Sequence, residues 1–421
     1  MNNTFFNFSD KILTAASKAE AELADIFKGI DKITEYNQNK VLKAFIDNGV
    51  SESHFSGSTG YGYDDRGREV LESVMAQIMG AEDALMRYNF MSGTHTIAVA
   101  LFGVLRPGDT LLSVVGTPYD TLHGVIGITP ESGSLAEFGV KYDEVPLKDE
   151  RPDLEAIKAR LEKSFIKVAH IQRSRGYAMR PSLTVEEITE IIDVIKSTSP
   201  ETIVTVDNCY GEFVQTDEPT QHGADLIMGS LIKNPGGGIA PTGGYIAGKK
   251  KYIEMCANRL TVPGQGKEIG CTLGHSRELF MGLFNAPHVT GEAVKTAVFA
   301  SKLFGDFGFF VTPTPTEKRA DIIQTVELKT AEGLVAFCKG VQSGAPVDSF
   351  VVPEPWDMPG YDSQVIMAAG AFTLGASIEL SADGPLREPY AAWMQGALNF
   401  HSGKTGIMLA AQSMMDAGLI K

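Results

Sequence analysis

The sequence places an acidic residue and a lysine at the ends of two neighbouring apolar segments. Asp207 stands near the end of "TIVTVDN", and Lys233, 26 residues after Asp207, follows "ADLIMGS". A buried carboxylate is costly unless a cation holds it, so Asp207 either caps a loop or meets a ligand cation. A lysine amine forms a Schiff base with an aldehyde, and a carboxylate keeps a pyridinium nitrogen protonated. Together the two residues could hold a cofactor that carries both groups.

Small and hydroxyl residues near these segments could bind an anion. In "FMSGTHTIAVALFGVL", Gly93 and Thr94 stand where a strand gives way to an apolar helix, and a helix N-terminus attracts negative charge. The alternative is an ordinary serine or threonine cap. Ser230 precedes Lys233 by three residues. A phosphate held by Gly93, Thr94 and Ser230 would complete a site for pyridoxal 5′-phosphate.

The elements that must position these residues alternate between helix and strand. Apolar, partly β-branched strands separated by helices predict an α/β fold with a mainly parallel sheet and helices on both faces. Ligands bind at the carboxyl ends of strands in such sheets. The predicted helices are 67–80 and 94–105, and the predicted strands are 84–90, 110–115, "KVAHIQ", "TIVTVDN" and "ADLIMGS".

The regions on either side of this sheet have a different character. Helical spacing of apolar residues predicts two amphipathic helices within an N-terminal arm, residues 1–54. The sheet domain then covers 55–290. A long helix and the proline-rich "VTPTPTEKRADIIQTVEL" open a smaller α+β domain at 291–421.

Composition narrows the class of protein. The 421 residues carry a formal net charge of -15, which argues against a nucleic-acid partner. The first residues lack a signal-peptide pattern and no window is apolar enough to span a membrane, so a cytoplasmic protein is expected. The four cysteines have no metal-ligand spacing, and we expect no metal site and no catalytic thiol.

Several longer motifs resemble a known family. The chain is similar to the cystathionine β-lyase and methionine γ-lyase group, and most closely to the branch named as aluminium-resistance proteins. This resemblance implies a fold-type-I pyridoxal phosphate enzyme and covers residues from about 55 to the C-terminus. The motifs that carry it are "MSGTHTIAVALFGVLRPGD", "IQRSRGYAMRPSL", "VDNCYGEF", "GSLIKNPGGGIAPTGGYIAG", "PWDMPGYDSQVIMAAG" and "SIELSADGPLREPY".

The resemblance also implies roles for individual residues. Lys233 would bind the cofactor aldehyde and act in catalysis, and Asp207 would pair with the ring nitrogen. Tyr119 would stack on the cofactor ring, although half-buried packing would also explain it. Gly93, Thr94 and Ser230 would hold the phosphate.

Further residues would act across subunits or on the substrate. In "GYGYDDRGRE", Tyr61, Tyr63 and Arg66 would bind the phosphate of a neighbouring copy, which implies a homodimer or homotetramer with shared active sites. The spacing differs from the lyase pattern, so the loop could instead be a turn before a helix. Arg387 in "DGPLREPY" would bind the substrate carboxylate, although a solvated surface charge would also explain it.

The run "QRSRGYAMRP" departs from the proline-containing motif of the lyases. Arg173, Arg175 and Arg180 add three positive charges after the strand that precedes Asp207. We expect Arg173 to bind substrate, although the arginines could equally neutralise nearby carboxylates. The departure leaves the choice of substrate open.

The reaction expected from these residues is elimination from an amino acid. A carbon–sulfur lyase acting on a cysteine-, cystathionine- or methionine-like substrate would release a 2-oxo acid, ammonia and a thiol. Aminotransfer, aldol cleavage or γ-replacement would use the same lysine and aspartate. A non-enzymatic acidic protein that sequesters metal ions is the rival outside enzymology, and it lacks clustered ligands.

Overall fold

A computed structural model describes residues 5–358 and 363–421. Its chain divides into two compact units, residues 1–35 with 286–421 and residues 36–285. The predicted arm over 1–54 is therefore shared between the units. Part of the motif "PWDMPGYDSQVIMAAG", residues 359–362, lies outside the described residues.

The described residues form eleven α-helices and twelve strands. The helices are α1 Asp10–Glu22, α2 Ala24–Asp47, α3 Arg66–Ile78, α4 Gly93–Val104, α5 Thr121–Ile126, α6 Leu154–Lys163, α7 Val185–Thr198, α8 Lys250–Leu260, α9 Ser276–Asp306, α10 Ala331–Ser343 and α11 Phe400–Asp416. The strands are β1 Asp83–Arg87, β2 Thr110–Ser113, β3 Lys141–Glu144, β4 Val168–Gln172, β5 Ile203–Asp207, β6 Leu226–Ser230, β7 Gly244–Gly248, β8 Phe310–Thr312, β9 Gln324–Glu327, β10 Val365–Ala368, β11 Ser381–Pro385 and β12 Ala391–Gln395.

Among these strands, seven form the sheet of the larger unit in the order β1-β7-β6-β5-β4-β2-β3. Six of them run in the same direction, and only β7 is antiparallel to its neighbours β1 and β6. The prediction of a mainly parallel α/β sheet is confirmed. The strands β3 and β7 were not predicted, because one is largely polar and the other is short and bounded by glycines.

Because β1, β5 and β6 run in the same direction, their carboxyl ends lie at the same edge of the sheet. Strands β5 and β6 pair in register, with Asp207 opposite Met228, so Ser230 also lies at the carboxyl edge. Because β7 is antiparallel to both β1 and β6, strand β1 ends at this edge too. The chain then enters α4 at Gly93. The edge therefore collects the ends of three strands and the start of one helix.

Strands β5 and β6 are fully buried, as their apolar sequences require. Each has five buried residues in succession, the pattern of a strand covered on both faces. Helix α7 begins with a capping box in which Thr184 and Glu187 satisfy each other's backbone N–H groups. The buried strands β5 and β6 thus provide a rigid support for Asp207 and Ser230.

The smaller unit has its own α+β core, as predicted. Its described strands form a five-stranded sheet in the order β10-β11-β12-β9-β8, antiparallel throughout. Helices α10 and α11 pack closely, since a β-carbon on Gly340 would lie 2.4 Å from Ala410 Cα. The long helix predicted from 290 begins earlier, at Ser276, because it continues through Pro287.

Within residues 5–358 and 363–421, every helix is too short or too polar to cross a membrane.

Candidate active site

The side chains of Asp207, Ser230 and Lys233 meet at the carboxyl edge of β5 and β6. Asp207 is 8% exposed, and its Oδ1 accepts the N–H of Cys209 at 3.1 Å. Ser230 is buried, and its hydroxyl oxygen accepts the N–H of Ile232 at 3.3 Å. Lys233 follows in extended conformation and is half-buried. The structure thus brings together three residues that the sequence placed on separate segments.

The start of α4 faces the same group. A β-carbon built on Gly93 would lie 3.4 Å from Ser230 Cβ and 4.0 Å from Lys233 Nζ. Glycine therefore leaves a small space that any other residue would fill. The first N–H groups of a helix have no acceptor within the helix, and here they belong to Gly93 and Thr94. The opening and the donors suit an anion.

Two neighbours of Gly93 complete the helix start. Ser92 caps α4 by accepting the N–H of His95 at 3.1 Å, so the ordinary cap is Ser92 and not Thr94. The hydroxyls of Thr94 and Thr121 are 2.8 Å apart. The Thr94 hydroxyl lies on the surface of the helix N-terminus, where a phosphate could reach it.

The amine of Lys233 lies between a thiol and an aromatic ring. Its Nζ is 3.9 Å from the centroid of the Tyr210 ring and hydrogen-bonds to the sulfur of Cys209. Burial by itself would lower the pKa of Lys233, but Cys209, Tyr210 and Asp207 together raise it above its ordinary value. The free amine is therefore held in its protonated form.

Cys209 and Tyr210 were not singled out from the sequence. They stand two and three residues after Asp207 in "VDNCYGEF", and this proximity to Asp207 was the available signal. Burial, followed by the Asp207 carboxylate, raises the pKa of the Cys209 thiol well above its ordinary value. Cys209 is thus a neutral thiol beside the lysine.

Arg173 has an internal position behind this edge. It has no exposed surface, and its guanidinium donates to Asn208 Oδ1 at 2.8 Å and to Gln215 Oε1 at 3.2 Å. Glu218 Oε2 lies 3.5 Å from the same group. Since the guanidinium is enclosed by protein partners, the predicted contact with a substrate has no support in the structure.

The other arginines of this segment are buried as well. Arg180 donates to the carbonyls of Gln172 at 2.9 Å and Ser174 at 2.8 Å, which closes the loop after β4. Arg175 is 1% exposed, and its N–H donates to Ser182 Oγ at 3.1 Å. A buried arginine that binds carbonyls acts as a structural cross-link.

A carboxyl group lies beneath the lysine loop. Glu212 has no exposed surface, and its Oε1 accepts the hydroxyl of Tyr245 at 2.9 Å. Burial, the largest cause, and the charge of Glu218 raise the pKa of Glu212 to about 8. Glu212 is therefore a neutral acid at pH 7. A β-carbon on Gly229 would lie 2.3 Å from Oε1, so the carboxyl group requires glycine there.

Tyr119 is half-buried at the same edge, after β2. Its backbone N–H donates to Gln172 Oε1 at 2.7 Å, and its ring meets Tyr177 edge to face at 6.2 Å. The predicted stacking on a cofactor stays a prediction.

The glycine-rich loop before α3 exposes its aromatic side chains. Tyr61 and Tyr63 are 67% and 57% exposed and stack on each other at 5.5 Å. Arg66 is the first residue of α3 and is exposed. Buried Arg68 holds the loop by donating to the carbonyl of Gly62 at 2.7 Å. The predicted role across subunits stays a prediction.

Arg387 lies in the smaller unit, in the exposed turn between β11 and β12. Its N–H donates to Pro385 O at 2.8 Å, and its carbonyl accepts the N–H of Tyr390 at 2.7 Å. The predicted binding of a substrate carboxylate stays a prediction.

The residues at the sheet edge fit pyridoxal 5′-phosphate by their chemistry. An amine for the aldehyde, a buried carboxylate for the ring nitrogen and an opening at a helix start for the phosphate lie together. All three belong to the unit of residues 36–285.

Comparison with known proteins gives close relatives. A carbon-sulfur lyase involved in aluminum resistance from Clostridium novyi NT is 52% identical, with a TM-score of 0.93 and 96% of each chain covered. An uncharacterized protein of Bacillus subtilis, YnbB, is 49% identical over 96% of this chain and 97% of its own length. The pyridoxal-5′-phosphate dependent protein YhfS from Escherichia coli is 16% identical with a TM-score of 0.62, which shows the fold alone; it covers 92% of this chain and 97% of its own.

These findings confirm the fold-type-I architecture and the resemblance to aluminium-resistance proteins. The profile of the methionine gamma-lyase family matches residues 12–415, almost the whole chain. The chain therefore belongs to the methionine gamma-lyase family.

Proposed function

We propose that this chain is a pyridoxal phosphate-dependent carbon–sulfur lyase acting on a sulfur-containing amino acid. The observation that carries the proposal is the meeting of the Lys233 amine, the Asp207 carboxylate and the Gly93 opening at one sheet edge. The family match and the name of the relative from Clostridium novyi NT support the class of bond broken. The products are a 2-oxo acid, ammonia and a thiol, after β- or γ-elimination.

Each residue of the edge has a part in holding the cofactor. The N–H groups of Gly93 and Thr94 and the hydroxyl of Ser230 would bind the phosphate, and Tyr119 would lie beside the ring. When bound, pyridoxal phosphate supplies an aldehyde for Lys233 and a protonated ring that withdraws electrons from the substrate α-carbon. Asp207 keeps the proton on the ring nitrogen, because a buried carboxylate favours a cationic partner.

Lys233 is the proton carrier of the proposed reaction. Its Nζ takes the α-proton of the substrate when the amine is neutral. Cys209 does not compete as a base, since its raised pKa keeps the thiol protonated. The half-buried position of Lys233 limits contact with water around the transferred proton.

Residues beyond this edge complete the proposal. Arg387 binds the substrate carboxylate, as its guanidinium is suited to bidentate contact. Tyr61, Tyr63 and Arg66 contribute to the site of a second copy, in a homodimer or homotetramer. The exposure of both tyrosine rings is consistent with this role.

The decisive experiment measures the products released from a panel of sulfur amino acids. Purified protein is incubated with cysteine, cystathionine and methionine, and 2-oxo acid and thiol are quantified without an added amino acceptor. We expect release from at least one of them, and Lys233→Ala should lower the rate by about 10³-fold or more. Absence of release across the panel would refute the lyase, and turnover only with an added 2-oxo acid would indicate aminotransfer.

A second measurement tests the covalent anchor independently of turnover. Borohydride reduction of the purified protein should fix the cofactor on the peptide that contains Lys233, as found by mass spectrometry. Lys250→Ala is the matched control, because Lys250 begins α8 after β7, which runs antiparallel to β6 and ends at the opposite edge of the sheet from Lys233. Fixation on any other lysine would contradict the assignment.

A further inference from the structure

The ring of Tyr210 forms one wall around the Lys233 amine. Nζ lies 3.9 Å from the ring centroid, well within the distance at which a cation is attracted to an aromatic face. The attraction acts on the ammonium form and hardly on the neutral amine. Tyr210 is itself half-buried, so water screens the contact only in part.

The backbone that carries this ring has an uncommon conformation. Tyr210 has φ +71° and Phe213 has φ +64°, the left-handed region in which residues with a β-carbon are disfavoured. Such a turn persists only where its surroundings hold it. The side chain of Asn234 does so, donating to the carbonyls of Tyr210 at 3.0 Å and Glu212 at 2.9 Å.

Asn234 is the residue directly after Lys233 and has no exposed surface. Consecutive residues thus provide the amine and fix the turn against which the amine lies. A further bond supports the same turn, since Glu218 Oε1 accepts the N–H of Phe213 at 3.0 Å. The ring and the amine are therefore held in one cross-linked segment.

Other titratable groups also face Lys233, and their effect on its protonation adds to that of the Tyr210 ring. Cys209, Asp207 and Glu212 come from the same segment as Tyr210, and each interacts electrostatically with Lys233. Substitution of the Tyr210 ring leaves all three in the chain. A change in the behaviour of Lys233 can then be assigned to the ring.

We propose that Tyr210 is a positioning residue whose ring holds the ammonium form of Lys233, with Asn234 fixing the ring in place. The inference rests on the proposed function, in which Lys233 binds the aldehyde of the cofactor. Only the neutral amine can capture that aldehyde. In that step Nζ bonds to the aldehyde carbon, and the carbonyl oxygen leaves as water with the two amine protons. The ring accordingly sets the pH range in which the cofactor is captured.

The test uses the full-length protein freed of its cofactor. The rate at which it captures pyridoxal 5′-phosphate is followed by the visible absorption of the product at a series of pH values. Tyr210→Leu removes the attraction for the ammonium form, so the rate profile should shift to lower pH by about one unit. Below the midpoint this is about a tenfold faster capture at the same pH.

Tyr210→Phe is the matched control, since it keeps the ring and loses only the hydroxyl. Its profile should lie within about twofold of the wild-type rates, because the face of the ring makes the contact. Asn234→Ala should shift the profile in the same direction as Tyr210→Leu, and the double variant should shift it no further. Should Tyr210→Leu fail to fold, Asn234→Ala and Tyr210→Phe carry the same comparison.

The outcomes separate this inference from the proposed function. A Tyr210→Leu profile that superimposes on the wild type overturns the role of Tyr210, as does an equal shift in Tyr210→Phe. If the wild-type protein captures no pyridoxal phosphate at any pH, the proposed function itself fails. A general structural defect would slow capture at every pH without moving the profile.

Discussion

Two regions predicted to meet a cofactor are built in opposite ways. At the carboxyl edge of β5 and β6, Asp207 and Ser230 are buried and Lys233 is half-buried against the turn of Cys209 and Tyr210. In the glycine-rich loop before α3, the tyrosine rings are mostly exposed. The side chains of the first region find their contacts within one chain, whereas the second region exposes its aromatic rings to the surroundings.

The backbone of the exposed loop is nevertheless well held. Gly270 donates its N–H to Tyr61 O at 2.9 Å, and Ser58 donates its N–H to Thr272 Oγ1 at 3.1 Å. Gly62 has φ +64° and approaches Cys271 so closely that a β-carbon would lie 2.6 Å from its Cα. A fixed backbone with exposed rings suits contact with another molecule, while the buried edge suits chemistry on a bound group.

The largest effect is expected from Arg173, which lies behind the buried edge. Arg173→Met leaves Glu218 buried without its cation, which should lower the free energy of unfolding by about 3–5 kcal/mol. Denaturant unfolding measures this loss. The double variant with Glu218→Gln should recover part of it. Unchanged stability with a raised KM would instead restore the substrate-binding role predicted from sequence.

Asp207→Asn tests the edge through activity. The amide keeps the shape but cannot hold a proton on a ring nitrogen, so kcat should fall by about 10²-fold. The effect on the free energy of unfolding should be much smaller, which distinguishes Asp207 from Arg173. Equal activity of Asp207→Asn and the wild type would remove Asp207 from the proposed mechanism.

Glu212 makes the stability of this region depend on pH. Its pKa is about 8 in the fold and near 4.5 in the unfolded chain, so between these values the folded state binds more protons. Stability should therefore fall as pH rises from about 5 to 8, by at most about 1.4 kcal/mol per pH unit. Glu212→Gln should flatten this dependence when unfolding curves are measured at several pH values. If the stability of the variant falls as steeply with pH as that of the wild type, the prediction is wrong.

The smallest effect on folding is expected in the exposed loop. Tyr61→Ala with Tyr63→Ala removes only rings that face outward, so the unfolding free energy of the dilute chain should change by no more than about 0.5 kcal/mol. Self-association, followed by light scattering on dilution, should weaken. If both stability and association stay unchanged, the loop is not an interface between copies.

Much of the fold could be predicted because many of its strands are apolar and many of its helices begin and end at residues that are typical of helix boundaries. Strands β4, β5 and β6 match the predicted segments within about two residues. In the larger sheet the missed strands β3 and β7 lack an apolar run long enough to distinguish them from a loop. Helix α9 was predicted too short because Pro287 reads as a helix stop, although it is tolerated here.

The site could be predicted only in part. Asp207, Ser230 and Lys233 could be expected to lie together because each ends or follows a buried strand, and parallel strands share one edge. Arg173 was assigned to a substrate on the same reasoning, but its side chain points into the protein. Whether a residue after a strand faces a ligand or the interior depends on the turn that follows.

The sequence by itself pointed to the family and to the α/β fold, and it predicted Lys233 as the cofactor anchor. These follow from local patterns, because strand periodicity and the order of motifs are properties of the chain. Tertiary structure alone decided that Tyr210 lies against Lys233, that Asn234 fixes this turn and that Arg173 is enclosed by Asn208 and Glu218. Those contacts depend on left-handed turns and on burial between segments distant along the chain, which no local pattern specifies.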